Sequence, residues 1–196
     1  MGRPPLITRE QVAEAALKII DNEGVEALSM ERIGREVGVR GPTLYHHFND
    51  KAEILAETAR LVLGHLVDHD PADWQDYMIN VSLNFYRRLV EHPNAAAILM
   101  QSLPDAAALP GMERAAQLLD KAGVDPALHL LLMEGTEKIA WGWSLQRAAM
   151  LVQGDRLSPS KLGDRWPTLA RAADVATMSD EEMLERSIRS FHAGVL

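Results

Sequence analysis

Four side chains that can bind nucleic acid lie within seven residues of the sequence: Arg40, Thr43, Tyr45 and His46. A guanidinium can read a guanine edge, and hydroxyl and imidazole groups can bond phosphate oxygens. The methyl group of Thr43 can also contact a thymine methyl. This chemistry requires a short helix that carries these groups on one exposed side and is anchored by its other side.

Two short helices joined by a glycine-containing turn would present these side chains. Ser29 is a candidate N-cap for the first of them, which is expected to end at Gly38. Gly41 can cap the second, and Pro42 suits its first helical position because a missing N–H costs nothing there. The second short helix is therefore predicted from Pro42 to about His47.

A preceding helix is needed to cover the apolar sides of this pair. Thr8 and Gln11 have the spacing of a capping box, so a helix is predicted from about residue 9 until Gly24. Leu44 and Phe48, four residues apart, would face it. Three helices in this order form a helix-turn-helix, which places its last helix in the major groove of DNA.

The rest of the chain is predicted to be helical, because no stretch alternates like a strand between hairpin turns. The further helices are expected at residues 51 to about 69, 74–92, 94–103, 110–122 and 126–153, after Trp166-Pro167, and after the capping box that begins at Ser179. We therefore predict an all-α protein. Residues 1–50 form a three-helix DNA-binding domain and residues 51–196 a larger helical domain for ligand binding and dimerisation, with the helix from residue 51 linking the two.

Composition narrows the class of protein. The chain has no cysteine, which excludes disulfides and thiolate metal sites and favours a cytoplasmic location. No apolar stretch is long enough for a membrane span, and the first residues lack the apolar core of a secretion signal. The net charge is −8, but residues 1–51 carry seven basic and eight acidic side chains. DNA would therefore be bound by locally placed bases rather than by a field of the whole protein.

The run from Val37 to Lys51 resembles the signature of TetR-family transcriptional repressors: an apolar-Gly-apolar turn, a short helix with Leu-Tyr-x-His-Phe, and a lysine just after it. Trp74-Gln75, the run Phe85 to Arg88 and the segment 166–195 are more weakly similar to the tetracycline-repressor branch. The predicted DNA-binding residues are Ser29, Arg40, Gly41, Pro42, Thr43, Tyr45, His46 and Lys51.

The resemblance implies a homodimer in which the long eighth helix and the last helix form a four-helix bundle with their partners. It also implies a small-molecule inducer pocket in each protomer and a palindromic DNA operator. Two positions depart from the family pattern. Arg40-Gly41 stands where serine is common, so the operator cannot be transferred, and Met100 stands where the tetracycline branch has a metal-binding histidine. A magnesium–tetracycline chelate is therefore not expected, nor is any metal or cofactor.

Aromatic residues and methionines between positions 74 and 143 suggest an adaptable cavity, although at helical spacing they are equally suited to a core. Ser82, one turn before Tyr86, and His65 are the polar candidates to orient a ligand. The full set of predicted ligand-binding residues is His65, Ser82, Phe85, Tyr86, Met100, Leu103 and Trp141.

Two other functions are compatible with parts of the sequence. His65 and His69 lie one helical turn apart and, with Asp68 or Asp70, would suit a helical metal-dependent hydrolase. A helical scaffold would leave the exposed side of the third helix without a role. No nucleophile elbow, P-loop or dinucleotide motif is present, so we predict a ligand-responsive repressor and not an enzyme.

Overall fold

A computed structural model describes residues 7–64, 66, 70–102, 105–154 and 165–196. All regular structure in these residues is helical, which confirms the predicted all-α class. The helices are α1 (Arg9–Glu23), α2 (Met30–Glu36), α3 (Gly41–Leu44), α4 (Lys51–Leu63), α5 (Trp74–Glu91), α6 (Ala96–Ser102), α7 (Asp105–Lys121), α8 (Pro126–Gln153), α9 (Pro167–Asp174) and α10 (Asp180–Val195), with 3₁₀ turns at Val25–Ala27 and Pro93–Ala95. None of the described helices combines the length and apolar character that crossing a bilayer requires.

The chain forms two compact units. The first contains Met1–Leu66 and Glu91–Glu113, and the second contains Val67–Val90 and Arg114–Leu196. The first unit extends beyond residue 50 because α1 packs against α4 and against the Pro93–Ala95 turn, while α4 packs against α6. The first compact unit therefore does not end at residue 50, where the DNA-binding domain was expected to end. That residue 50 limits the DNA-binding part of the chain stays a prediction.

The first unit is held by the apolar face of α1. Its N-terminus has the predicted capping box, in which Thr8 accepts from the Gln11 backbone and Gln11 accepts from the Thr8 backbone. The buried apolar side chains of this unit include Val12, Ile19, Ile20, Leu28, Ile33, Leu44, Phe48, Ile54 and Val62. Helices α1 to α4 thus share one core, with the polar side chains left on the surface.

In the second unit, α5 contributes to two apolar clusters. One contains Trp74, Tyr77 and Met78 with Leu119 of α7 and Leu132 of α8. The other contains Ile79 and Tyr86 with Leu184 and Ile188 of α10. Helices α8 and α10 pack closely at Gly135, because a Cβ atom on this glycine would lie 2.2 Å from the Phe191 ring. The apolar stripe of α10 therefore has its partner within the same chain.

Three predicted helix limits are wrong. The third helix begins at Gly41 with Arg40 as N-cap and ends at Leu44, because turns replace regular helix up to His47. The fourth ends at Leu63, where Gly64 has a φ of 49°. The seventh starts at Asp105 and continues through Pro110, which removes one backbone hydrogen bond without ending the helix. In contrast, α8 spans the predicted residues 126–153.

Candidate functional site

The turn between α2 and α3 requires glycine at two positions, because a side chain at either would lie against the neighbouring backbone. A Cβ on Gly34 would lie 2.9 Å from the Val39 carbonyl oxygen and 2.9 Å from the Gly41 nitrogen. Gly41 itself is buried, and a Cβ there would lie 3.4 Å from the Glu31 backbone. The two helices thus cross with their backbones almost in contact, which fixes the angle at which α3 leaves the turn.

The start of α2 and the turn are also fixed by hydrogen bonds. Ser29 is the N-cap, as predicted, and its hydroxyl accepts from the Arg32 backbone at 3.1 Å. Gly38 has a φ of 75°, a left-handed conformation that favours glycine, and Val39 N–H donates to the Gly34 carbonyl at 2.8 Å. Local sequence therefore determines this turn, as expected for a motif whose bonds are all short-range.

The exposed side of α3 and its flanks carries the predicted polar groups. Tyr45 is 58% exposed, His46 and Arg40 are exposed, and Thr43 is half-buried. Leu44 lies on the opposite side in the core. The arrangement presents a guanidinium, two hydroxyls and an imidazole toward solvent from one short, anchored element.

Three other predicted DNA-binding residues lie in different surroundings. Gly41 is buried beneath α2, so the structure gives it a packing role, and a DNA contact by this residue stays a prediction. Pro42 is exposed at the start of α3. Lys51 is half-buried and opens α4, where Asp50 caps the helix by accepting from the Glu53 backbone at 2.8 Å. The positive end of the α4 dipole and the Lys51 charge both suit a phosphate.

The predicted ligand-binding residues are only partly brought together. The Phe85 ring contacts the Trp141 ring in the second unit, with centroids 4.7 Å apart and ring planes tilted by 60°. Ser82 and Tyr86 lie on the same helix as Phe85, but both hydroxyls already have partners: Ser82 donates to the Met78 carbonyl at 2.8 Å, and Tyr86 donates to Asp180 at 3.0 Å. Burial, and then the hydrogen bond to Asp180, raise the pKa of Tyr86 to about 12.

Of the three remaining predicted ligand-binding residues, the structure describes only Met100. Met100 belongs to the first unit and is 64% exposed, so it does not line a buried site in the described structure of its own unit. His65 and Leu103 lie outside the described residues, as does His69 of the alternative metal site. Among the described residues, no three acidic or histidine side chains gather closely enough to hold a metal ion.

Comparison with known proteins identifies the helix-turn-helix. The family model described as "Bacterial regulatory proteins, tetR family" matches residues 12–58, which include α2, α3 and the turn between them. The helix-turn-helix of this chain is therefore similar to that of TetR-family regulators. The curated relatives that match part of the chain are described as tetracycline repressors or as transcriptional regulators, in line with the predicted class of protein.

Individual TetR-family proteins resemble about half of this chain in sequence but nearly all of it in fold. The tetracycline repressor class D from Escherichia coli is 29% identical over 103 residues, which cover 50% of this chain and 47% of that protein. The chain thus matches about half the length of such curated relatives. A TetR regulator from Streptomyces coelicolor has a TM-score of 0.80 at 22% identity over 97% of this chain and 98% of its own.

A second solved structure from the same organism contains a ligand. ActR of Streptomyces coelicolor, in complex with actinorhodin, has a TM-score of 0.74 at 21% identity, covering 97% of both chains. At such identity, the likeness establishes the fold of the second unit as that of TetR-family structures.

Sequence reasoning missed a buried polar cluster in the second unit. His192 is buried, with Nε2 2.7 Å from the Thr136 hydroxyl, which itself donates to the Leu132 carbonyl at 2.7 Å. Nε2 must therefore carry the proton, and Nδ1 has no partner among the described residues. Burial, and then the charge of Arg189, lower the pKa of His192 to about 4. The signal was available, because His192 follows Ile188 by four residues on the apolar stripe.

Proposed function

We propose that this TetR-family regulator is a ligand-responsive repressor that binds a palindromic DNA operator as a homodimer and is released by a small-molecule inducer. The observation that carries the proposal is the exposed polar side of α3, where Arg40, Tyr45 and His46 are turned to solvent from an element fixed by backbone contact with α2. Side chains placed in this way suit the edges and phosphates of a major groove.

Sequence readout and phosphate binding would be divided between two elements. Thr43 and Arg40 would contact base edges, while Lys51 and the first turn of α4 would bind the phosphate backbone and set the register of α3. This division follows from chemistry: Lys51 offers a point charge without base specificity, whereas Thr43 offers both a methyl and a hydroxyl.

A second copy of the chain would supply the other half of a palindromic reader. Two recognition helices must lie about 34–36 Å apart to enter successive major grooves. On α8, Leu131 is 51% exposed and shares a face with Gly142, three turns further on, where nothing lies within 4 Å of the position that a Cβ would take. An exposed leucine beside an open glycine suits close packing against a partner helix.

The bundle expected between α10 and a partner chain cannot be formed by its apolar residues Leu184 and Ile188. Both are fully buried against α5 and α8 of their own chain. The proposed interface therefore uses the solvent-facing sides of α8 and α10 and leaves this inner stripe to the core of the protomer.

Inducer binding would act on the spacing of the two recognition helices. The α5 helix belongs to the second unit up to Val90, and the chain then enters the first unit at Glu91. There His92 Nδ1 lies 2.8 Å from the Asp21 carboxylate of α1, and Asn94 donates to the Asp21 carbonyl at 3.0 Å. Movement of α5 would thus be carried directly to the DNA-binding helices. The actinorhodin complex of ActR supports a small-molecule ligand for a protein of this fold.

Selection of bound duplexes from a random DNA pool tests the proposed function. We expect enrichment of one palindrome whose half-sites are about 10 base pairs apart from centre to centre, or a multiple of that spacing. A pool that remains random after repeated rounds at about 100 mM salt would contradict DNA recognition. Sedimentation of the selected complex then establishes whether two chains bind each site.

A further inference from the structure

We propose that Arg9 is a positioning residue that orients the recognition helix α3, and so contributes to operator specificity without contacting a base. The inference rests on the proposed function. Arg9 lies at the start of α1, outside the helix-turn-helix pair itself, and nothing in the motif assigns it a role. Its contacts, however, converge on the segment that joins α3 to α4.

Arg9 contacts this segment with three different parts of its guanidinium. Nη1 donates to the His47 carbonyl, at the end of the recognition segment. The planar group lies over the Phe48 ring, with Cζ 4.2 Å from the ring centroid. Nη2 pairs with Glu53 of α4 at 2.7 Å and lies 3.6 Å from Glu57, one turn further on.

Glu53 extends the contact back to the same segment. Its carboxylate accepts from the Asn49 backbone at 2.8 Å and from the Asn49 side chain at 3.0 Å. The hydrogen bond from the Asn49 backbone, and then the one from Arg9, hold the pKa of Glu53 below its ordinary value. Residues 47, 48 and 49 are thereby each held by Arg9 or by its partner Glu53.

The recognition helix needs such external support. It has only four residues, and a helix this short cannot fix its own direction, because so few backbone bonds repay the ordering of the chain. Its N-terminal end is fixed by the contact between Gly34 and Gly41, and Arg9 fixes the opposite end. A planar, forked group that stacks on Phe48 while it donates in two directions cannot be replaced by a lysine ammonium.

The expected effect is on orientation more than on stability. The Arg9 side chain is 40% exposed, and ion pairs at such positions contribute little to folding. Binding to random DNA depends on the number of phosphates contacted and tolerates a change in helix direction. Base readout does not tolerate it, because hydrogen bonds to base edges weaken steeply when they are misaligned.

The test compares two duplexes of equal length and composition, the one selected by the wild-type protein and a scrambled version. For Arg9→Gln we expect about 10-fold weaker binding to the selected duplex and less than about 2-fold change on the scrambled one. For Arg9→Lys we also expect most of the preference for the selected over the scrambled duplex to be lost. Lysine keeps the positive charge but lacks the planar, forked guanidinium. The matched control is Arg60→Gln, which removes another arginine partner of Glu57 and is expected to leave both affinities unchanged.

Each outcome has a defined meaning. Equal losses on both duplexes, with a salt slope reduced by about one, would show that Arg9 itself binds phosphate and would overturn the proposal. An unchanged ratio for both variants would overturn it as well. If Arg9→Gln unfolds, the test uses Arg9→Lys and Glu53→Gln instead. If both of these variants keep the wild-type ratio of affinities for the selected and scrambled duplexes, Arg9 does not position α3. Failure of the wild type to select any sequence would instead reject the proposed function.

Discussion

The two compact units use their polar side chains in opposite ways. In the first unit, Tyr45 and His46 are turned to solvent on an element whose backbone is fixed by neighbouring helices. In the second, the Tyr86 and Ser82 hydroxyls are buried and already hydrogen-bonded to the protein. A surface of exposed donors is prepared for a polar partner such as DNA, whereas hydroxyls that are buried and already paired favour a ligand bound mainly by apolar contact.

The largest expected effect tests whether the inner side of the second unit's helices forms the core of the protomer and the outer side forms the dimer interface. Leu184→Ala removes a fully buried side chain between α5, α8 and α10, and we expect a loss of roughly 3–4 kcal/mol in the free energy of unfolding. Leu131→Asp on the exposed side of α8 is expected to leave protomer stability within about 0.5 kcal/mol and to abolish the dimer. Chemical denaturation at fixed protein concentration and sedimentation measure the two effects.

Two results would contradict the distinction between the buried and the exposed sides of these helices. A Leu131→Asp chain that sediments as the wild type does would place the interface elsewhere, and a Leu184→Ala chain of normal stability would deny the core position of α10.

The second prediction concerns the buried His192, in contrast to the exposed His46. Because the pKa of His192 falls from an ordinary 6.5 to about 4, the unfolded chain takes up a proton at higher pH than the folded chain does. Stability from this residue is therefore complete above about pH 6.5 and is lost as the pH falls toward 4, by up to about 3 kcal/mol. Denaturation curves between pH 7 and 4 measure it.

His192→Gln is expected to flatten this pH dependence, since glutamine can still donate to Thr136 but does not titrate. His46→Gln, at an exposed histidine of the first unit, is the control for the substitution itself. An equal slope for wild type and His192→Gln would show that His192 is not desolvated as described.

The sequence predicted local features better than contacts between distant residues, for a physical reason. The Thr8, Ser29 and Ser179 caps and the limits of α8 depend on residues within four positions of one another, and all four were predicted correctly. Errors arose where distant contacts decide the outcome. His192 bonds Thr136 across 56 positions, and Leu184 faces α5 rather than a partner chain.

The third prediction concerns how tightly α2 and α3 approach. Gly34→Ala would bring a methyl within 2.9 Å of two backbone atoms that have no freedom to move away. We expect a loss of about 2 kcal/mol in stability and weaker binding to every DNA sequence. Gly194→Ala is the control, because nothing lies within 4 Å of its Cβ position and alanine favours the helix. Normal stability of Gly34→Ala in thermal unfolding would contradict the close crossing.

The smallest expected effect separates phosphate binding from base readout. Lys51→Ala is expected to weaken binding to selected and scrambled duplexes alike by about 1 kcal/mol and to reduce the salt slope by about one. Titrations at several salt concentrations measure both quantities. A loss confined to the selected duplex would assign Lys51 to base readout instead.

Repeating the DNA selection with variants tests most directly whether the exposed side of α3 reads sequence. We expect Thr43→Val and Arg40→Lys each to change the recovered palindrome at symmetry-related positions in both half-sites, because each alters one donor set facing the base edges. Lys51→Ala is expected to recover the wild-type palindrome, at lower affinity. Recovery of an identical palindrome by Thr43→Val and Arg40→Lys would contradict the central claim that these side chains read the operator.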